Sequence, residues 1–362
     1  MRLLRALSRG GAALLLGLLA GGIFFGCGGT KAKRLIILIN GDSPFWDACR
    51  VGVPQAEKDF HLADADLRAV VETNDGTPEG QLDKLRQFAS QSDIVALGIS
   101  PCDAANVAIA EEMRNLQKRG IHVITIDSDV DRAKLRDSRF AFVGTDNLAA
   151  GRELGKCLKG LRPQGGGYVT FVGRKGAQNA MDRIQGVGRG AGPDWRQLDS
   201  MADDIDPNVA RENVRNAIAN HKRRLNALIG IWSYNGPAIA DVMKKDAAAR
   251  KSHLVVAFDA EPLTIAAMSE GLVDAMVVQN PYQMGYQGVR LMQALVRKDQ
   301  ATLRKMLPRQ GKPDGDTYDT GLKVVVPGRG SPLRPAMLDK KTKFLRLDEF
   351  RKWLAEHTLT GS

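Results

Sequence analysis

Short, unbroken apolar runs alternate along this chain with longer segments in which apolar residues return every three or four positions. Residues 35–40 form the first such run, as a strand covered on both faces requires. Pro44 then opens a helix reaching about Phe60, since proline suits a first helical turn. Residues 67–71 read as a second strand, and Thr77-Pro78 starts a helix with Leu82, Leu85 and Phe88 at helical spacing. Strands follow at 94–99, 122–126 and 140–143, with a helix at 104–119 that Gly120 stops. The pattern then restarts. Helices at 147–161, 179–190, 206–221, 237–245 and 263–270 alternate with strands at 168–172, 227–231, 254–258 and 275–278, and a long helix closes the series at 281–297. This order predicts an α/β protein with two doubly wound parallel-sheet lobes joined by a hinge.

Composition narrows the class. A chain of 362 residues is long enough for two domains, and 43% hydrophobic content with 26% charged is globular, not disordered. The four cysteines, at 27, 49, 102 and 157, are too few for a disulfide scaffold, and Cys49, Cys102 and Cys157 read as buried free thiols. No C-x-x-C or H-E-x-x-H motif occurs and the five histidines share no metal spacing, so neither a metal nor a cofactor is expected. The net charge is +11, but the basic residues are scattered, which reads as a solvated surface and not a nucleic-acid interface.

The first residues have the shape of a secretory leader. Arg2, Arg5 and Arg9 precede an uncharged run from Gly11 to Gly26, with leucines at its centre. At 16 residues it is shorter than a spanning helix usually needs. Phe24-Phe25-Gly26-Cys27 resembles a bacterial lipoprotein box, in which a small residue precedes the thiol that receives the lipid. An uncleaved anchor is the other reading, and both place the remainder outside the cytoplasmic membrane. With residues 1–26 removed, the chain carries 49 basic against 41 acidic residues, or +8.

In parallel sheets ligands bind beyond the carboxyl ends of the strands, so the polar residues there are informative. The first lobe offers Asp42-Ser43-Pro44-Phe45-Trp46 and Asp127-Ser128-Asp129. The second offers Asn179 and Arg183 near a helix start, then Ser233-Tyr234-Asn235, Asp259 and Gln279 at strand ends. Aromatic faces beside carboxylates, amides and one arginine suit a sugar, whose C–H faces stack and whose hydroxyls both donate and accept. Each residue has a plainer use: Trp46 as a core cap, Asp127 as a helix N-cap, Arg183 as a surface arginine, Asp259 as a turn residue.

Six stretches in order resemble the type I periplasmic sugar-binding proteins, the ribose- and xylose-binding family that shares its fold with the lac-repressor core. They are S-P-F-W at 43–46, V-I-T-I-D-S-D at 123–129, V-G-T-D-N-L-A-A-G-R at 143–152, N-A-M-D-R-I-Q-G at 179–186, V-V-A-F-D at 255–259 and V-V-Q-N-P-Y-Q-M-G at 277–285. The resemblance implies that Phe45 and Trp46 flank a sugar ring and that Asp127 accepts from its hydroxyls. It implies that Arg183, Asn235, Asp259 and Gln279 grip the sugar from the second lobe and hinge. Asp42 or Ser43 stands where ribose binders carry asparagine, and Ser128 where they carry arginine. Their second-lobe aromatic has no counterpart near Asp203-Asp204, so a sugar-like ligand is implied and ribose itself is not. The family pattern divides the chain into a leader at 1–26, a tether at 27–34, a first lobe at 35–144 plus 281–318, a second at 145–280 plus 319–330, and an extension at 331–362. In that extension Phe344, Leu345, Leu347, Phe350, Trp353 and Leu354 suggest an amphipathic helix packed on a lobe.

The expected function is capture of a sugar-like ligand by a monomeric lipoprotein of the periplasm or cell envelope, lipidated at Cys27, that delivers it to an ABC permease. A receptor feeding a membrane sensor kinase or chemoreceptor is the alternative. A transcription regulator would need a helix-turn-helix where the leader stands. An enzyme is not expected, since no nucleophile motif such as G-x-S-x-G is present. Gly186–Gly190 ends a predicted helix, which is the wrong context for a dinucleotide loop.

Overall fold

The computed structural model describes residues 32–362. The leader, Cys27 and most of the tether lie outside the described residues. Thirteen strands form two sheets among the described residues. The first half supplies β1 (Lys33–Leu38), β2 (Leu67–Glu72), β3 (Ile94–Ile99), β4 (His122–Ile126) and β5 (Phe142–Gly144). The second supplies β6 (Gly166–Val172), β7 (Trp195–Ala202), β8 (Leu225–Gly230), β9 (Leu254–Phe258) and β10 (Ala275–Val278). Three more follow: β11 (Thr317–Asp319), β12 (Lys323–Val326) and β13 (Lys343–Arg346). The first sheet runs β11-β5-β4-β3-β1-β2 and the second β13-β12-β10-β9-β8-β6-β7. Pairing is parallel throughout the described residues except between β10 and β12.

The apolar runs are strands because both faces of each sheet are covered. Leu35, Ile37 and Ile39 join one cluster with Val53, Met284 and Met292, while Ile36 and Leu38 join another with Phe88, Met113 and Leu116. Val169 and Phe171 face one side of the second sheet, and Tyr168 and Val172 the other. The chain crosses from the first sheet to the second after β5 and returns after β10 through helix Pro281–Val296, whose Met284, Val289 and Met292 pack in the first core. It adds β11 to the first sheet and then crosses back to add β12 to the second.

Several elements depart from the sequence reading. β1 begins at Lys33, inside the segment assigned to the tether, and Arg34 holds Asp93 through two hydrogen bonds of 2.8 and 2.9 Å. Pro44 opens a single 3-10 turn, Pro44–Trp46, before helix Asp47–Asp59. The helix expected from Ala104 starts at Val107, because the Asn106 side chain accepts from the Ile109 amide and caps it there. β7 has no apolar run: it is an edge strand whose residues are mostly exposed or half-buried. Phe344 and Leu345 belong to β13, not to a helix, since β12 leaves an edge with which they pair. Cys49, Cys102 and Cys157 are free and buried.

The glycines at 186–190 lie within helix Gln178–Ala191 and press on helix Asn147–Leu161. A Cβ at Gly186 would fall 2.5 Å from the Leu148 carbonyl oxygen, and one at Gly190 2.0 Å from that of Arg152. From the other side, Gly151 and Gly155 would collide with the Arg183 and Val187 carbonyls. Missing side chains on both helices allow this backbone approach.

The C-terminal segment is part of the second lobe. Helix Leu347–Glu356 buries Leu347, Phe350 and Leu354 in the core beneath β12. Lys323 lies buried with its ammonium 3.9 Å from the centre of the Trp353 ring, a cation–π contact. Burial, and then the Lys343 charge, lower its pKa to about 7. Trp353 packs on His357, and His357 meets Tyr282 of the returning helix edge-on at 5.5 Å. Ser362 exchanges backbone hydrogen bonds with Ala260, and its hydroxyl donates to the Gln279 carbonyl at 3.1 Å. Phe350→Ala should therefore cost about 3–5 kcal/mol of unfolding free energy in a urea titration. A loss below about 1 kcal/mol would mean that the segment is peripheral.

Candidate functional site

A cavity of about 390 Å³ opens where the carboxyl ends of both sheets meet. Two carboxylates reach it in the same way. Asp127 follows β4 and Asp259 follows β9, and both take a left-handed backbone with φ of 62°. Each amide donates to the neighbouring strand, Asp127 to the Val143 carbonyl at 3.1 Å and Asp259 to that of Val277 at 2.8 Å. A left-handed aspartate is uncommon and strained, and here its amide's bond to the neighbouring strand helps to hold it.

Between them stands the buried guanidinium of Arg183. Its Nε donates to Asn147 Oδ1 at 2.9 Å, Nη1 to the Ile231 carbonyl at 3.1 Å and Nη2 to Gln279 Oε1 at 3.3 Å. The Phe258 ring lies 3.8 Å beneath it. The glycine contact between the two helices brings Arg183 within reach of Asn147. Gln279 ties the hinge together: its Oε1 also accepts from Thr145 Oγ1 at 2.9 Å, and its Nε2 donates to Asp259 Oδ2 at 3.0 Å.

Burial sets the protonation of this group. It pushes the Asp127 carboxyl up to about 6, although Arg183 and the Ser100 hydroxyl pull it back. It pushes Asp259 to about 7, against Arg183 and Gln279, with the Asp127 charge adding to the rise. Burial likewise lowers Arg183, which the carboxylates of Asp259 and Asp127 oppose. The two carboxyls therefore sit close to their titration range at neutral pH.

The first-lobe wall carries Phe45 and Trp46, packed edge to face with ring centroids 5.0 Å apart. Trp46 Nε1 donates to Asn40 Oδ1 at 3.2 Å, so the indole is both a core residue and a cavity wall. Asp42 and Ser43 lie at the rim, where exposed Asp42 pairs with Arg50. The second-lobe wall carries Arg174, Asn179, Ser233 and Tyr234.

Of the ten residues that the resemblance placed at the ligand, eight border one cavity: Asp42, Ser43, Phe45, Trp46, Asp127, Arg183, Asp259 and Gln279. Two do not. Ser128 is buried outside the lining, left behind by the turn that aims Asp127 inward. Asn235 is buried and fully used within the protein, its Oδ1 accepting from the Trp232 amide at 3.0 Å and its Nδ2 donating to Asp203 Oδ2 at 2.9 Å. Ser233 takes the position at the cavity instead. Sequence reasoning missed Asn40, Thr145, Arg174 and Trp232. Asn40 ends the first apolar run and could have been found there. The aromatic absent near Asp203-Asp204, where Ile205 stands, is offset by Trp232 and Tyr234 on the same wall. Among the described residues no cluster of His, Cys, Asp or Glu is arranged for a metal, and no helix is long and apolar enough to cross a membrane.

Ring faces, carboxylates near neutrality and a fixed guanidinium can hold a small polar molecule with several hydroxyls. Comparison with known proteins bears on that chemistry. A family model of the periplasmic binding protein domain matches residues 35–300. The D-allose-binding periplasmic protein of Escherichia coli is 24% identical over 281 residues, covering 73% of this chain and 84% of that protein. The ribose import binding protein of Salmonella typhimurium is 23% identical, covering 59% and 71%. Among solved structures, an ABC transporter solute-binding protein of Burkholderia graminis in complex with D-arabinose superposes with a TM-score of 0.69 at 23% identity, covering 82% of this chain and 96% of that one. One from Actinobacillus succinogenes with bound D-allose gives 0.68 at 18% identity, covering 81% and 97%.

The raised pKa of Asp259 has a consequence for stability whose sign can be measured. Its folded value lies above the unfolded one of about 3.8, so the folded chain holds the proton more tightly. The stability this confers is present at low pH and is lost as pH rises from about 4 to about 7. Asp259→Asn removes the penalty. The melting temperature of the unliganded variant, relative to the parent, should climb across that window and level off above it. A difference independent of pH would show that Asp259 titrates normally.

Proposed function

The chain belongs to the periplasmic binding protein domain family, and on that premise we propose that it captures a sugar-like molecule between its two lobes and presents the closed form to an ABC importer. The observation that carries this reading is the convergence of Asp127, Arg183, Asp259 and Gln279 with the Phe45–Trp46 face on one cavity. The relatives support it, since those described above are named for D-allose and ribose, or were solved with D-arabinose and D-allose. The work is binding, not catalysis.

Residues 35–144 and 281–318 move as one lobe, and residues 145–280 and 319–330 as the other, with 331–362 riding on the second. A sugar in the open cleft first meets the aromatic face and Asp127. Hinge closure then brings Arg183 and Asp259 onto its remaining hydroxyls and expels water. The carboxylates accept from hydroxyls, while the guanidinium, already oriented by Asn147 and Ile231, donates without further ordering. The partners are the sugar and the permease, and the protein acts as a monomer. Asp127→Asn should weaken calorimetric affinity for D-allose or D-ribose about ten- to hundred-fold, the worth of one charged hydrogen bond. Arg189→Ala, exposed six residues beyond Arg183, should bind like the parent. Equal affinity in all three proteins would remove the proposed site.

Lipid attachment at Cys27 holds the protein at the membrane. The charged start, the short apolar run and Gly26 before the thiol support it. Cys27→Ser should move the protein from the membrane to the soluble periplasmic fraction. A variant that stays membrane-bound and keeps its leader would establish the uncleaved anchor.

A further inference from the structure

Residues 331–362 lie beyond the matched stretch 35–300, yet the far end of this segment is firmly held. Helix Leu347–Glu356 stops at His357, and Thr358 turns the chain back with φ of 55°. A β-branched residue rarely takes that backbone, so its surroundings must fix it. They do so on both sides. The Leu359 amide donates to the Leu354 carbonyl at 2.9 Å, and Ser362 is bonded to Ala260 and to the Gln279 carbonyl at the hinge. Leu359 and Ser362 are buried, and Gly361 passes so near Pro262 that a Cβ there would fall 2.9 Å from its ring.

The segment is anchored on the second lobe but reaches the first in two places. Ala48 is, among the described residues, the only buried first-lobe member of the hydrophobic cluster that contains Leu359, Phe350 and Leu354. Phe45, Ala48 and Val51 face Pro262, Leu359 and Ser362 across one small pocket. Phe45 also borders the ligand cavity, so it stands between that cavity and residues 358–362. The second contact is a file of rings. Centroids lie 4.7 Å apart from Trp353 to His357, 5.5 Å from His357 to Tyr282, 6.1 Å from Tyr282 to Tyr286 and 4.8 Å from Tyr286 to Phe60. The Tyr286 hydroxyl donates to Asp59 Oδ2 at 3.0 Å, at the end of the helix that carries Ala48.

We propose that residues 357–362 form a clasp between the lobes, so that the cleft without ligand stands less open than the hinge alone would leave it. This rests on the reading that the lobes move about the hinge to enclose a ligand. Opening would carry Phe45, Ala48 and Val51 away from Pro262 and Leu359 and return apolar surface to water, which disfavours the open form. None of residues 357–362 borders the ligand cavity. His357 and Leu359 are therefore positioning residues, acting through Tyr282 and through the Phe45–Ala48 edge on the width of the cleft. Affinity follows from width, because a ligand that needs the closed form binds in proportion to the fraction of molecules that adopt it. A leucine side chain whose burial depends on closure biases that equilibrium by about tenfold.

The test separates lobe closure from core stability. Leu359→Ala weakens the clasp from the second-lobe side, and Val51→Ala from the first, at an exposed position where the fold is at little risk. Val214→Ala is the control: it trims the same core cluster from helix Pro207–His221, which packs against the second sheet. Small-angle scattering on the unliganded proteins should give Leu359→Ala and Val51→Ala a larger radius of gyration than the parent. Val214→Ala should melt lower and keep the parent's radius. Calorimetry with D-allose and D-ribose should show Leu359→Ala weaker by about tenfold and Val214→Ala equal to the parent. A parent-like radius in both clasp variants would overturn the clasp at any melting temperature, and the hinge reading would stand if the sugar still contracts the parent. Equal expansion in Val214→Ala would also overturn it, since a loosened core would then account for the change. If neither sugar binds, the functional reading falls for these ligands, and the scattering comparison alone decides the clasp.

Discussion

A guanidinium removed from water organises this molecule. Stripping solvent from Arg183 is costly, and the surroundings offset the cost from every side. Asn147, Ile231 and Gln279 accept its protons, the Phe258 ring faces it, and two carboxylates balance its charge. Those partners come from both lobes and from both principal crossings. The left-handed aspartates, the glycine-lined helix contact and the Thr145–Gln279 bond at the hinge can all be seen as conditions for keeping one cation dry. The same conditions leave Asp127 and Asp259 near their titration points, a state suited to accepting from neutral hydroxyls.

Buried strands were the most legible part of the sequence. Residues 94–99, 254–258 and 275–278 are apolar throughout, and 122–126 apart from His122 and Thr125, because sheets covered on both faces tolerate little else, and their bounds match the observed strands. The strand-end rule then led to Asp127, Asp259 and Gln279 without knowledge of the fold. Elements set by pairing at an edge were not legible. β7 alternates polar residues along a half-exposed edge, and β13 is a strand because β12 lies beside it, a fact no local pattern carries.

Within the site, residue type was easier to foresee than direction. Asn235 has the right chemistry at the right strand end, yet one turn of backbone points it at Asp203 and gives the cavity to Ser233. Ser128 and Asp127 are neighbours, and the left-handed turn between strand and loop sends only one of them inward. Trp232 was hidden for a different reason. Its place depends on the absence of a side chain at Gly173, almost sixty residues earlier, and a missing atom leaves no positive mark in a sequence.

The two sheets share one strand plan. Leaving out β13, the order β11-β5-β4-β3-β1-β2 maps strand for strand onto β12-β10-β9-β8-β6-β7, with Asp127 and Asp259 at equivalent places. The likeness stops at the last strand, since β11 runs parallel to β5 whereas β12 runs antiparallel to β10. The walls also differ in chemistry, with an arginine and a notched indole on one side and a tryptophan capped by an asparagine on the other. The seam between two alike halves therefore has handedness. Because each half carries its own wall on its own sheet, one wall can drift toward a new guest while the other continues to hold the old framework.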